Sequence, residues 1–353
     1  MLTDVTDIHE TMLKDTVRTD AYRDFIYDNK HIFNDKIVLD VGCGTGILSM
    51  FCAKAGAKMV IAVDNSDVID KARQIVFENG LGDVVKCVVC KTLNLALTDS
   101  FLRCLRGKIE EVALPVPKVD IIVSEWMGYC LLFEAMLDSV IWARDHYLSE
   151  TGIMVPSHAT LRLAPMNDRD FVDSHVTFWN SVYGFNMSCM LDGSYDQAMC
   201  KTVSPEAVAA DSVSFLHLDL RTTSVAELQF STAFSITLNK DIDSLDAWVI
   251  WFDIFFMPSR SSTMSDSASP SGMVKNGFVA FTTGPFGPET HWKHGILLVD
   301  RRKRNAVPLK KNAKLVGQIM FKKRSPKARH LEMRVKWCAE GGVEEGDQQW
   351  SIE

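Results

Sequence analysis

Residues 38–46 read VLDVGCGTG. An apolar, strand-like run at 37–41 passes through Gly42, Gly44 and Gly46 into a second apolar run at 47–55, closed by Gly56, that has the spacing of a helix. Glycines at a strand-to-helix turn let backbone approach a ligand where side chains would obstruct it. The GxGxG spacing is followed by Ile47, whereas a dinucleotide fingerprint needs Gly or Ala at the sixth position to seat a pyrophosphate. That disfavours NAD and favours a cofactor held by polar side chains instead of a phosphate-binding helix end. Asp64 closes the next apolar strand, 59–63, at the distance where a carboxylate accepts both hydroxyls of a ribose. Turn, strand, helix and acid together point to an adenosine-containing ligand; the turn alone would be only a turn.

Outward from this stretch, residues 7–33 carry apolar side chains at helical spacing, and residues 66–79 predict a helix stopped by Gly80. Strands and helices alternate through 84–147, including VDIIVSE at 119–125, which predicts a parallel, doubly wound sheet. After Pro156 the pattern changes. HATLRLAPM, SFLHLDLRT, FSITL, WVIWFDIFFM, GFVAFTT, GILLV and LVGQIMF are read as alternating strands of antiparallel structure, interrupted by a helix at 171–185. Residues 259–276, rich in Ser with Pro and Gly, predict a surface loop.

The chain of 353 residues has room for two domains. Its 47% hydrophobic and 24% charged residues are those of a globular protein, and a net charge of −7 disfavours non-specific nucleic-acid binding and suits a cationic partner. Nine scattered cysteines predict a reducing compartment, and neither a secretory leader nor an uninterrupted membrane-length apolar run is found. The expectation is a cytoplasmic protein with possible access to the nucleus, in direct contact with neither nucleic acid nor membrane. Cys87 and Cys90 form a CxxC with Cys104 further on, but no fourth ligand at zinc spacing follows, so no metal is expected.

The stretch SEWMGYCLLFEAML, 124–137, bears on chemistry. Glu125 follows a strand at the edge where open α/β sheets bind ligands, and Glu134 follows a glycine-containing turn. Isolated acids at such positions are ordinarily solvated caps. Here Trp126, Met127, Tyr129, Leu131, Leu132 and Phe133 surround them, so both are expected in a partly dry pocket. Two carboxylates facing one pocket either share a proton or hold a cation, and arginine's planar fork can bridge two separate acceptors.

VLDVGCGTG, IAVD at 61–64, KIEEV at 108–112, SEWMGYCLLFEAML and THW at 290–292 occur in the order found in protein arginine methyltransferases. From Ile8 onward the chain resembles that family, most nearly the catalytic core of the member that elsewhere carries an N-terminal zinc finger. The resemblance implies N-terminal helices at 1–35, a Rossmann-like S-adenosylmethionine-binding domain at 36–155, and an antiparallel β-barrel domain at 156–353. An arm at about 168–193 would dock on a second subunit to make a homodimer. His9, Met12, Arg18, Asp40, Gly42, Gly44, Asp64, Glu110 and Met136 would hold the methyl donor. Of these, Arg18 would pair the methionine carboxylate, Asp64 the ribose and Glu110 the adenine amino group, with Met136 near the sulfonium. Glu125 and Glu134 would clamp the substrate guanidinium, and His291 would pair with Asp15 to close the site. Met12 and THW match the type I class, which makes monomethyl and asymmetric dimethylarginine, S-adenosylhomocysteine being the co-product. Expected substrates are arginine-containing proteins, glycine/arginine-rich or ribosomal.

Two departures stand against the pattern. The YFxxY segment that lids the cofactor in the family is absent before IHETML, and residues 88–104 read as an insertion, taken to be a retained untranslated segment, that would interrupt the third strand. They motivate an alternative, a catalytically impaired subunit that binds cofactor or dimerises. A small-molecule methyltransferase has no reason to keep both acids with THW, and an NAD-dependent oxidoreductase is the most distant reading.

Overall fold

The computed structural model describes residues 3–88, 107–134, 136–262, 264–302, 305–323 and 331–352. The insertion read at 88–104 lies outside them except for Val88, as do Cys90 and Cys104.

The N-terminal helical stretch is three helices: α1 (Thr3–Lys14), α2 (Thr16–Asp28) and α3 (Lys30–Phe33). Apolar spacing runs through the first break unaltered. The break comes from Asp15, whose extended backbone and carboxylate cap α2, accepting the Arg18 backbone N–H at 3.0 Å. Helix α2 buries Tyr22, Phe25 and Ile26, and its two rings meet Phe256 at centroid distances of 5.0 and 5.5 Å.

The first sheet takes β1 (Ile37–Val41), β2 (Met59–Val63), β3 (Val85–Val88), β4 (Val119–Val123) and β5 (Leu148–Val155), with α4 (Ile47–Lys54), α5 (Val68–Glu78) and α6 (Met136–Tyr147) among the connections. Its order is β3-β2-β1-β4-β5 and every pairing is parallel. IVLDV, MVIAV and VDIIV are nearly continuous apolar runs because a parallel sheet is covered on both faces. The chain winds outward from β1 through β2 to β3, then returns to β4 on the other side of β1. The C-terminal ends of β1, β2 and β4 therefore open the crevice in which such sheets bind ligands.

The rest of the chain adds β6 (His158–Met166), β7 (Met199–Lys201), β8 (Val213–Asp219), β9 (Phe230–Thr237), β10 (Ala247–Phe256), β11 (Val279–Thr282), β12 (His294–Leu298), β13 (Lys314–Lys323), β14 (Leu331–Ala339) and β15 (Glu345–Ile352). They form an antiparallel β barrel from two sheets, β7-β12-β10-β6-β8 with β11 on β10, and β15-β14-β13-β9. Three local expectations are corrected here. All ten residues of β10 are buried, so WVIWFDIFFM is a central strand covered on both faces and not an alternating one. The helix expected at 171–185 is only α7 (Arg169–His175), followed by a 3₁₀ turn at Thr177–Asn180 and a tight turn at Tyr183 and Gly184, both at positive φ. The loop expected at 259–276 contains α8 (Pro270–Lys275), started by the Ser269 hydroxyl on the Gly272 N–H with Pro270 in its first turn.

One buried side chain ties the parallel sheet's last helix to the barrel. Arg144 of α6 donates to the carbonyls of Leu220 at 2.9 Å and Thr223 at 2.7 Å. Arg144→Met keeps the aliphatic stem and leaves both acceptors bare, which is expected to cost about 3 kcal/mol. Thermal unfolding measures this; a loss no larger than that of the exposed Arg334→Met would show that the bonds do not hold the barrel in place.

Candidate active site

The glycine turn is built around backbone needs. Gly42, Gly44 and Gly46 take φ of 72°, 53° and 83°, a region that favours glycine. At Gly42 space opposes a side chain as well, since a methyl group there would stand 2.0 Å from Met136 Cε, whereas one on Gly44 would meet His9 Cε1 at an ordinary contact distance of 3.6 Å. The backbone N–H groups of Gly42 and Cys43 donate to the Val63 carbonyl at 2.8 and 3.1 Å. Gly44 N–H donates to Asp64 Oδ2 at 2.9 Å, while Ser66 N–H and Oγ both donate to Asp64 Oδ1. Asp64 thus locks the turn to the end of β2 and still faces the crevice. Burial lowers the His9 pKa against the pull of Asp64, so its imidazole is neutral at pH 7.

Asp40 is wholly buried behind this turn rather than on the cavity wall. Ser49 of α4 donates to its Oδ2 at 2.6 Å, and Oδ1 has no partner among the described residues. Burial, opposed by Ser49 and assisted by the Asp64 charge, pushes its pKa up to about 7. The folded protein therefore keeps a proton that the unfolded chain releases near its ordinary value of 3.8. Stability from this group is lost as pH rises through that interval. Between pH 5 and 7.5 the native protein is expected to lose about 3 kcal/mol more than Asp40→Asn. Denaturant unfolding of both proteins at the two pH values tests this, and parallel pH dependences would refute it.

The loop bearing the two acids is a rigid knot. Gly128 and Leu131 exchange backbone hydrogen bonds at 3.0 and 2.9 Å, and Cys130, Leu131 and Glu134 take φ of 50°, 70° and 80°. A methyl group on Gly128 would stand 1.9 Å from the Phe133 carbonyl oxygen. The knot is held from outside by the Tyr22 hydroxyl on the Ser124 carbonyl, the Ser124 hydroxyl on the Val41 carbonyl, and the Trp292 indole N–H on the Met127 carbonyl, at 2.9, 2.7 and 2.9 Å.

Glu125 and Glu134 line the same cavity in different states. Glu125 is buried; its Oε2 accepts Arg18 Nε at 2.8 Å and lies 2.8 Å from Nη2 in an ion pair, and its Oε1 accepts the Met127 N–H at 3.2 Å. Arg18 Nη1 spends its hydrogens on the Met12 carbonyl and Thr19 Oγ1, which leaves one Nη2 hydrogen for a ligand carboxylate. Glu134 is exposed, and no hydrogen bond or ion pair reaches it from the described residues. Beside the acids, His291 Nδ1 lies 2.6 Å from Asp15 Oδ2, which also accepts the His291 backbone N–H at 2.9 Å. Burial pushes the Asp15 carboxyl up, but the His291 and Arg18 hydrogen bonds outweigh it and hold the carboxyl below its usual range.

Two adjoining hollows of about 520 and 170 Å3 make one trough, sharing Gly42, Asp64, Glu134 and Met136. Glu110 stands at one end, accepting Ser139 Oγ at 2.6 Å. His9, Met12, Arg18 and Glu125 stand in the other. The glycine cradle, an acid beside the turn, an acid at one end and a spare guanidinium N–H at the other fit an adenosine joined to an amino acid. Spacing alone missed Tyr22, Ser49, Ser139 and Trp292 as positioning residues. Trp292 lies inside the quoted THW, yet nothing local foretells that its indole anchors Met127.

A glycine-turn parallel sheet with paired acids at its C-terminal edge, followed by a barrel, is the construction of a cofactor-dependent methyltransferase. Residues 38–105 match the family model described as a methyltransferase domain, and residues 157–342 match the arginine methyltransferase oligomerization subdomain. The chain is similar to the ribosomal protein arginine N-methyltransferase rmt3 of Schizosaccharomyces pombe, 44% identical over 95% of this chain and 56% of that protein. It is also similar to protein arginine N-methyltransferase 1 of the same yeast, 45% identical over 82% of this chain and 75% of that protein. Among solved structures, the Trypanosoma brucei PRMT1 enzyme-prozyme heterotetrameric complex with AdoHcy superposes with a TM-score of 0.81 at 31% identity, over 98% of each chain. The chain belongs to the protein arginine N-methyltransferase family, whose methyl donor is S-adenosylmethionine.

Proposed function

We propose that this chain transfers methyl groups from S-adenosylmethionine to arginine guanidinium nitrogens of proteins, giving monomethyl and asymmetric dimethylarginine. The observation that carries this reading is the convergence of Glu125 and Glu134 on the trough that the glycine turn also lines. When bound, S-adenosylmethionine supplies a methyl group made electrophilic by the sulfonium. His9, Met12, Arg18, Gly42, Gly44, Asp64, Glu110 and Met136 hold it, with Asp40 supporting the turn from behind.

The protein's part is to bind and orient the nucleophile. A guanidinium is a poor one because its lone pairs are delocalised and it stays protonated. Glu125 already shares its charge with Arg18, whereas Glu134 has no ion-pair partner among the described residues. A substrate guanidinium held between them feels an asymmetric field: positive charge is drawn toward Glu134, and a nitrogen facing the cofactor gains nucleophilic character. Positioning in a site fixed by Tyr22 and Trp292 supplies most of the acceleration. The released proton passes to a Glu134 carboxylate oxygen or to the Asp15–His291 pair.

The substrates are arginine-bearing proteins of glycine/arginine-rich or ribosomal type, the latter suggested by the printed name of the yeast relative. The working form is a homodimer, supported by the oligomerization-subdomain match and by Phe178, Tyr183, Phe185 and Met190 exposed on the segment after α7. The cytoplasm, with access to the nucleus, is the proposed location.

Glu134→Gln is expected to lower transfer to a glycine/arginine-rich peptide by at least about 100-fold while leaving cofactor affinity within about twofold. Separation of methylarginines after acid hydrolysis and calorimetric titration of S-adenosylhomocysteine measure the two. A collapse of cofactor affinity, or a symmetric product from the native protein, would count against the reading. Tyr183→Ser combined with Phe185→Ser is expected to convert the dimer to monomer in sedimentation; an unchanged mass would remove this surface from the interface.

A further inference from the structure

Cys130 sits at the tip of the acid-bearing knot, buried and at positive φ. Its sulfur lies against β12, only 2.4 Å from where a methyl group on Gly295 would stand, so that position must be glycine for the thiol to fit. Gly295 is paired directly with Cys200 of β7 in the antiparallel ladder. Directly opposed residues in such a ladder project from the same face, their Cβ positions about 4.5–5.5 Å apart. The Cys130 sulfur thus fills the space beside the Cys200 side chain. Both are free cysteines; Cys130 is buried and Cys200 is partly exposed.

We propose that Cys130 and Cys200 form a reversible disulfide on exposure to a hydroperoxide, a modification that ties the tip of the acid-bearing loop to the barrel.

The two sulfurs are chemically unequal. The neighbouring Cys130 thiol and the nearby Lys293 charge lower the Cys200 pKa against burial, while the neighbouring Cys200 and burial push the Cys130 thiol up. Cys200 is accordingly the sulfur that reaches solvent and the more readily deprotonated of the two, the pair of properties that makes a thiol peroxide-sensitive. Its thiolate attacks a peroxide oxygen, the O–O bond breaks, and the leaving alkoxide or hydroxide takes up a proton, giving a sulfenic acid on Cys200. The Cys130 thiol then loses its proton as its sulfur attacks the Cys200 sulfur. The S–O bond breaks and hydroxide leaves with that proton as water. Two thiols are oxidised by two electrons, and one peroxide is reduced to an alcohol, or water, plus water.

A disulfide holds its sulfurs about 2.05 Å apart, closer than unbonded thiols can pack, so the knot tip and β7 must draw together. Gly128 already abuts the Phe133 carbonyl, leaving the knot little slack to absorb the shift before Glu134 moves. On the functional reading proposed above, oxidation is expected to lower methyl transfer by about tenfold or more, because small misplacements at a reacting centre are costly.

The chain is treated with a slight excess of hydrogen peroxide, capped with N-ethylmaleimide, and digested without reductant. Trypsin with an aspartate-directed protease cuts at Asp192 and Asp196 and so separates Cys189 from Cys200. Mass spectrometry is expected to find the Cys130 and Cys200 peptides joined, and dithiothreitol to part them and restore transfer. Cys200→Ser is expected to keep basal transfer, lose the linked peptide and become insensitive to low peroxide. Both cysteines still alkylated, Cys200 driven to sulfinic acid beside an alkylated Cys130, or Cys200 joined to another cysteine would each overturn the proposal. The mass readout needs no activity, so an untreated chain that transfers no methyl group would count against the enzymatic reading alone.

Discussion

The Arg18 guanidinium and the Glu125 carboxylate meet at 2.8 Å with 6% and 3% of their side chains exposed, one on α2 and the other just beyond β4. Taking two charges so far out of water is costly, and the pair persists because other bonds complete it: the Met127 N–H on Glu125, the Met12 carbonyl and Thr19 hydroxyl on Arg18. Removing either partner would strand the other, a loss of about 3–5 kcal/mol in comparable buried pairs. Much of the site hangs on this contact. It sets α2 against the acid-bearing loop, which brings the Tyr22 hydroxyl to the Ser124 carbonyl and presents the Asp15 cap to His291.

The pair also sorts the two acids by duty. Glu125 is neutralised before any substrate arrives, so a trough lined by both acids does not have to hold two bare carboxylates in a partly dry space. Glu134 is exposed and meets no cation among the described residues. Two residues of the same type thus acquire different electrostatic characters from burial and partner alone.

What was legible in the sequence was local. The glycine turn and Asp64 declare themselves because strand, turn and helix chemistry lies within a few residues, and the parallel strands read plainly because coverage on both faces makes them apolar throughout. Contacts made across the chain were not legible by spacing: Arg18 with Glu125, Asp15 with His291, Trp292 with Met127, and Cys130 with Cys200. The first two pairs' residues were singled out by family resemblance, but the direct pairing of Arg18 with Glu125 was not. Local competition explains the rest. Asp15 interrupts an unbroken apolar period because a cap outranks it, Ser269 and Pro270 start a helix inside a serine-rich run, and β10 lacks alternation because neither of its faces meets water.

Trp292 has a further consequence for how such a protein can be taken apart. Its indole and the neighbouring His291 imidazole reach from the barrel side to Met127 and Asp15, so the ligand-facing edge of the parallel sheet is finished by residues that follow those partners by 165 and 276 positions. The cofactor-binding sheet is therefore not a self-sufficient module to which a barrel was appended for recognition. Grafted onto another scaffold it would retain its glycine turn yet leave the Met127 carbonyl and Asp15 Oδ2 without the donors that His291 and Trp292 supply, and exchange between relatives would have to carry both halves of these contacts together.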